Sequence, residues 1–211
     1  MAKEKVPLNT LSEYLPANAF EPVEVLLITH RVQLTVTRSR STILGDYRPA
    51  NGNKGHRISV NGNLNPYGFL VTLLHELGHL TAFLEHGSKI APHGPEWKRH
   101  FSSLLDTFLK RSIFPADVQD ALEKTLQNPA ASSCGDLNLM RVLDRYNPPR
   151  PDQKRVESLE LGATFQTKDG RLFERGEKRR TRYLCRQLDT QQLFLFHALF
   201  PVREIQAMPG E

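Results

Sequence analysis

Leu73-Leu74-His75-Glu76-Leu77-Gly78-His79-Leu80 is the stretch on which the reading of this sequence turns. It spells H-E-x-x-H inside an apolar run that holds one glycine and no proline. On a helix, positions i and i+4 share a face, so His75 and His79 point together and can grip one metal ion, each nitrogen about 2.0–2.1 Å from zinc. Glu76 then stands beside the metal, where a general base can act on a water that the metal activates. The competing reading is a buried helix whose two histidines are satisfied by hydrogen bonds.

The flanks place this stretch on a helix. Asn65 is suited to an N-cap and Pro66 to the first helical position, while Gly87 after His86 suits a left-handed C-terminal residue. Upstream, Leu8 to Leu15 and Phe20 to about Arg31 have helical spacing. Val32, Leu34 and Val36 then alternate with polar residues, which reads as a strand with one wet face. Ile43–Arg48 and His56–Asn61 read as two more strands, separated by the turn signal Asn51-Gly52-Asn53-Lys54-Gly55. The expectation is a small antiparallel meander whose third strand, leading directly into the motif helix, lies beside the metal and can accept an extended peptide by strand addition. Downstream, helices are expected from Pro95 (with Trp97, Phe101, Leu105 and Phe108 on one face), from Pro115 to Gln127, and from Asp136 to Tyr146.

The chain has 211 residues, 39% hydrophobic and 24% charged, with a formal charge of +5. That is the composition of a globular protein with a sizeable core, and it excludes a disordered chain. Two cysteines, Cys134 and Cys185, exclude a disulfide framework and a four-cysteine zinc site. No apolar run approaches the roughly 20 residues that span a membrane, and Met1–Pro7 lacks an apolar signal core. A cytoplasmic protein with reduced thiols and no membrane partner is expected.

A catalytic zinc takes three protein ligands and keeps one position open. The third ligand has five candidates: Glu85, His86, His93, Glu96 and His100. The pattern H-E-x-x-H-x-x-G-x-x-H fails, because Ala82 and Glu85 occupy the glycine and histidine positions. His86 lies two turns on from His79 along the same helix, and His100 two turns into the next. His93, in a Pro-bounded loop that can swing back, is favoured.

His75-Glu76-Leu77-Gly78-His79 followed by His93-Gly94-Pro95-Glu96-Trp97 resembles the SprT family, which includes the Spartan-type DNA-dependent metalloproteases. The resemblance runs from about Phe20 to Leu109. It implies an α+β, compact zincin-like domain with zinc on His75, His79 and His93, one ion per chain, and Glu76 as catalytic base. It further implies a zinc metalloendopeptidase acting on a protein or peptide substrate, with DNA-associated proteins as one substrate class. The alternative is a non-proteolytic nucleic-acid-binding or transcription-related regulatory protein that keeps a structural zinc. Many such proteins end in a zinc ribbon, whereas here only Cys185 remains within a β pattern. A degenerate, metal-free ribbon is therefore expected.

The domain reading is a zincin domain over 1–146, a linker over 147–158 (opening on Asn147-Pro148-Pro149-Arg150-Pro151), and a small all-β hairpin unit over 159–211. Between Lys168 and Arg186 there are eight Lys/Arg and three acids. Arg180, Arg182 and Arg186 share strand parity, as do Arg171 and Arg175. With Arg179 they make a candidate DNA-binding face, against the plainer alternative of a solvated sheet.

Overall fold

The computed structural model describes residues 8–40, 43–127 and 136–205, which form two compact units, Met1–Asn147 and Pro148–Glu211. The first unit is α+β. A 3-10 helix at Leu8–Tyr14 leads into α1 (Phe20–Thr29), followed by β1 (Gln33–Thr37), β2 (Gly45–Arg48) and β3 (Arg57–Asn61). Four more helices follow: α2 (Pro66–His86), α3 (Pro95–Leu109), α4 (Ala116–Gln127) and α5 (Leu137–Asp144). Among the described residues no helix is long and apolar enough to cross a membrane.

The helix α2 organises this unit. Asn65 caps it by accepting from the Gly68 N–H at 2.9 Å, Pro66 opens it, and Gly87 ends it at φ +73°. Residues 68–78 are all buried, as are Leu80 and Ala82. A helix enclosed all round belongs at the centre of a core, not on its surface. Tyr14, Trp97 and Phe101 pack with or around it, and Phe69 stacks on Tyr14.

The small sheet is mixed, which corrects the expected antiparallel meander. Its order is β1-β3-β2, with β1 parallel and β2 antiparallel to β3. A parallel pair needs a crossover of about a dozen or more residues. Here residues 38–56 serve as that crossover and carry β2 to the far side of β3. The central place goes to β3, whose Ile58, Val60 and Asn61 are all buried. Asn61 satisfies its side chain completely: it accepts from Arg40 Nε at 2.7 Å and donates to the carbonyls of Arg40 and Ile43. Arg40 and Asn61 thereby pin the crossover to β3.

The second unit is a six-stranded sheet of order β4-β9-β5-β6-β7-β8. Its strands are β4 (Lys154–Arg155), β5 (Thr164–Gln166), β6 (Leu172–Arg179), β7 (Arg182–Gln187), β8 (Leu193–His197) and β9 (Pro201–Glu204). The expected linker 147–158 is shorter than proposed, because β4 pairs with β9 and Val156 is fully buried. The core is aromatic: Phe165 stacks on Phe173 at 5.6 Å, and Phe196 meets both edge-on. Cys185 is buried in this core and unpaired, and Cys134 lies outside the described residues. β8 is not buried on both sides as its apolar run suggests, since Leu193 and Leu195 are exposed.

Asn65 joins the start of α2 to the end of α5. Its Nδ2 donates to Leu143 O at 2.8 Å and to Asn147 Oδ1 at 2.9 Å, while its Oδ1 caps the helix. Asn65→Ala removes the cap and both bonds to the end of α5, and is expected to cost about 1–2 kcal/mol. Urea unfolding followed by fluorescence of the single Trp97 measures this; an unchanged midpoint would show that the cap carries no stability.

Candidate metal centre

Helical spacing brings His75 and His79 onto one face of α2, and the 87–94 loop returns to meet them. His93 Nε2 lies 3.1 Å from His75 Nε2 and 3.0 Å from His79 Nε2. Trp97, fully buried at the start of α3, forms the floor. Its ring centroid is 4.6, 5.3 and 4.7 Å from those of His75, His79 and His93, and it stacks on Phe101. The indole N–H donates to the His75 carbonyl at 3.4 Å, which ties α3 to the helix that carries the cluster.

His93 reaches this position through backbone strain. Gly94 N–H donates to the Ala91 carbonyl at 2.9 Å, closing a turn with Pro92 and His93 at its centre. His93 has φ +59°. Pro followed by a left-handed residue is the arrangement of a type II turn, whose second central place normally goes to glycine or asparagine. A histidine held there costs on the order of 1 kcal/mol and persists where the surroundings demand it.

Burial lowers the pKa of His75 to about 3 and of His79 to about 4, with the neighbouring imidazoles adding to the effect, and burial lowers His93 as well. All three rings are therefore neutral at neutral pH. One proton on His93 Nε2 can serve only one of its two neighbours well, so three such nitrogens in contact cannot all be satisfied by each other. A cation at their centre satisfies them together. At bonds of about 2.0–2.1 Å and tetrahedral angles, ligand nitrogens stand about 3.3–3.4 Å apart, a few tenths of an ångström wider than the spacing found. The donor set fits a metal of zinc type.

Glu76, buried beside this cluster, faces β2. The Tyr47 backbone N–H donates to its carboxylate. Burial raises its pKa to about 8, with the Asp46 carboxylate adding to the rise while the Tyr47 N–H and Arg40 oppose it. A bound dication would reverse that balance by favouring the carboxylate form. Gly45 allows the approach: a Cβ there would stand 2.6 Å from Glu76 Oε1 and 2.8 Å from Thr72 Cγ2. The strand beside the centre is thus β2, an edge strand of the sheet, and not the third strand. Its sequence signal was the glycine itself, since Gly in a strand often marks a close approach of backbone to another group. Asp46 and Tyr47 carried no such signal.

The remaining candidates lie elsewhere. His86 and His100 face Glu85 instead of His79, with Nε2 atoms 3.4 and 3.3 Å from its carboxylate oxygens. The arginines do not form the expected single face. Arg186 pairs with Glu174, Arg171 with Asp169, and Arg179 with Glu177. Arg175 lies over the Tyr183 ring at 4.5 Å. A register shift between Arg175 and Lys178 breaks the parity of β6, at a point where a Cβ on Gly176 would stand 2.2 Å from the Leu184 carbonyl.

Gly45→Ala drives a methyl group into Glu76 and Thr72. It is expected to lower the stability of the first unit by about 1–3 kcal/mol. Thermal unfolding monitored at Trp97 checks this, and wild-type stability would mean that strand and helix are not in this contact.

Residues 25–119 match the family model described as SprT-like family. No curated protein and no solved structure matches the chain. The matched segment lies wholly within the first unit and holds the three histidines, Glu76, β2 and α3. The matched segment is SprT-like, and the first unit that holds it is a zincin-like α+β domain.

Proposed function

We propose that this domain is a zinc metallopeptidase that hydrolyses peptide bonds with Glu76 as general base. The observation that carries the reading is one arrangement: His93 Nε2 lies within 3.1 Å of both His75 Nε2 and His79 Nε2, and a buried carboxylate from the next helical position stands beside a free strand edge. His75, His79 and His93 would hold the ion. Bound there, zinc supplies Lewis-acid polarisation of a carbonyl and brings the pKa of water toward about 7.

The chain's own residues supply the rest. Glu76 accepts a proton from the attacking water and passes it to the leaving amine. The Tyr47 N–H orients the carboxylate for both transfers. An extended substrate would add to the outer edge of β2, where backbone groups give affinity and alternate side chains meet pockets. One such pocket, about 210 Å³, lies against His79 and is lined by Tyr47, Phe83, Ile90, Pro92 and Trp97. Its lining suits an apolar side chain next to the scissile bond.

Glu76→Gln keeps the size of the side chain and removes the base. Zinc content is expected to stay at the wild-type level while cleavage of a protein substrate falls by about 10²–10⁴-fold. Cleavage at the wild-type rate would overturn the mechanism. A wild-type protein that holds zinc and cleaves nothing would instead be the non-proteolytic regulator.

Substrates bound to DNA are the class we propose, through the second unit. The support is local: Lys178, Arg179, Arg180 and Arg182 surround the turn between β6 and β7, and all four are exposed. Arg171 and Arg186 are neutralised by their acidic partners and add little. The double substitution Arg180→Glu and Arg182→Glu is expected to weaken duplex binding and to reduce the slope of log affinity against log salt by about 2. Unchanged affinity and slope would remove the turn as a phosphate contact.

A further inference from the structure

Two histidines and a glutamate outside the first cluster form a second donor set. Glu85 and His86 end α2, and His100 lies in the second turn of α3. Glu85 Oε1 is 3.4 Å from His86 Nε2, and Glu85 Oε2 is 3.3 Å from His100 Nε2. All three ligand atoms fall within 4.8 Å of one another. Each of the two spacings, one to each Glu85 oxygen, matches that of neighbouring ligands on a tetrahedral ion with bonds of about 2.0–2.2 Å, and one oxygen must turn to serve both rings.

Three further features point the same way. His86 Nε2 is enclosed and makes no hydrogen bond, although Glu85 Oε1 is close, so a buried nitrogen is left without the partner it needs. Burial favours the neutral form of His100, and the nearby His86 and Arg99 add to this while Glu85 opposes it. A neutral ring offers a lone pair to a metal. Glu85 is 62% exposed and free to turn one oxygen between the rings, and a cation at the C-terminal end of α2 is favoured by the helix dipole.

We propose that Glu85, His86 and His100 bind a second divalent transition-metal ion, of the zinc type that imidazole and carboxylate ligands select. The set has an open position for water and is partly exposed, so it binds more weakly than the three-histidine centre. Its place gives it a role. Glu85 and His86 immediately precede the 87–94 loop and His100 follows it, so an ion here staples the loop at both ends. That loop carries His93 in its left-handed turn. The second ion is a structural clamp on the segment that delivers the third ligand to the first.

Equilibrium dialysis of the full chain against buffered zinc, followed by metal analysis, tests this without reference to peptidase activity. The wild type is expected to hold two ions per chain at saturation. The double variant His86→Gln and His100→Gln is expected to lose one, and His75→Gln with His79→Gln to lose the other. Saturation of the wild type at one ion, or retention of two by the His86/His100 variant, overturns the proposal. If that variant fails to fold, imidazole NMR of the wild type decides. The second equivalent of zinc should shift the ring signals of His86 and His100, and a shift confined to other histidines overturns it.

Discussion

Placing two imidazoles and a carboxylate on the inner side of an otherwise apolar helix is the constraint from which the rest of the first unit follows. Polar groups removed from water cost several kcal/mol unless they find partners. His75 and Glu76 are both buried, at 6% and 7% exposure, in a helix whose other inward residues are leucine, phenylalanine and valine. Each neighbouring element answers part of that cost. The 87–94 loop brings His93 to the imidazoles, α3 brings Trp97 beneath them, and β2 brings a backbone N–H to the carboxylate. The three imidazoles cannot all satisfy one another by sharing protons, and a cation at their centre fits all three.

Each contribution is matched by a concession elsewhere in the chain. His93 adopts a backbone conformation suited to glycine. Gly45 gives up any side chain so that β2 can reach Glu76. The sheet accepts a parallel pair, with its longer crossover, so that β2 emerges on the side of β3 that faces α2. These are local departures from what strands and turns prefer by themselves, and they cluster around one point. Such clustering is expected where function, and not folding alone, sets the geometry.

The same distinction explains what was legible in the sequence. The helix α2 was readable to the residue, because Asn65, Pro66 and Gly87 mark its ends by chemistry that acts within a few residues. The histidine pair was readable because helical periodicity fixes relative direction, and His93 because a Pro-Gly loop limits where its ring can go. Strand order was not readable. Alternation in β1 and β3 identifies a wet and a dry face but says nothing about which strand is central; that depended on Asn61 and Arg40 finding each other across 21 residues. The arginines shared no face for a related reason: register sets Arg175 opposite the buried Cys185 and Arg186 opposite Glu174, so the two sets lie on opposite faces of the sheet, and the shift at Gly176 separates Arg179 from Arg175.

Charge was the least legible property, for a physical reason. A sequence count treats each arginine as free, whereas a sheet sets residues opposite one another according to register. Register places Glu174 across from Arg186, and the two bond at 3.0 Å. Asp169 is two residues from Arg171 across the Gly170 turn and captures it at 2.7 Å. Nearer the turn between β6 and β7, register sets Arg182 opposite Arg179, so no acid faces it across the ladder and Arg180 lies in the turn itself. The net charge of +5 over the chain does not count the cations exposed at this hairpin tip. Their number, more than the total charge, sets how strongly salt would weaken contact with a phosphate backbone.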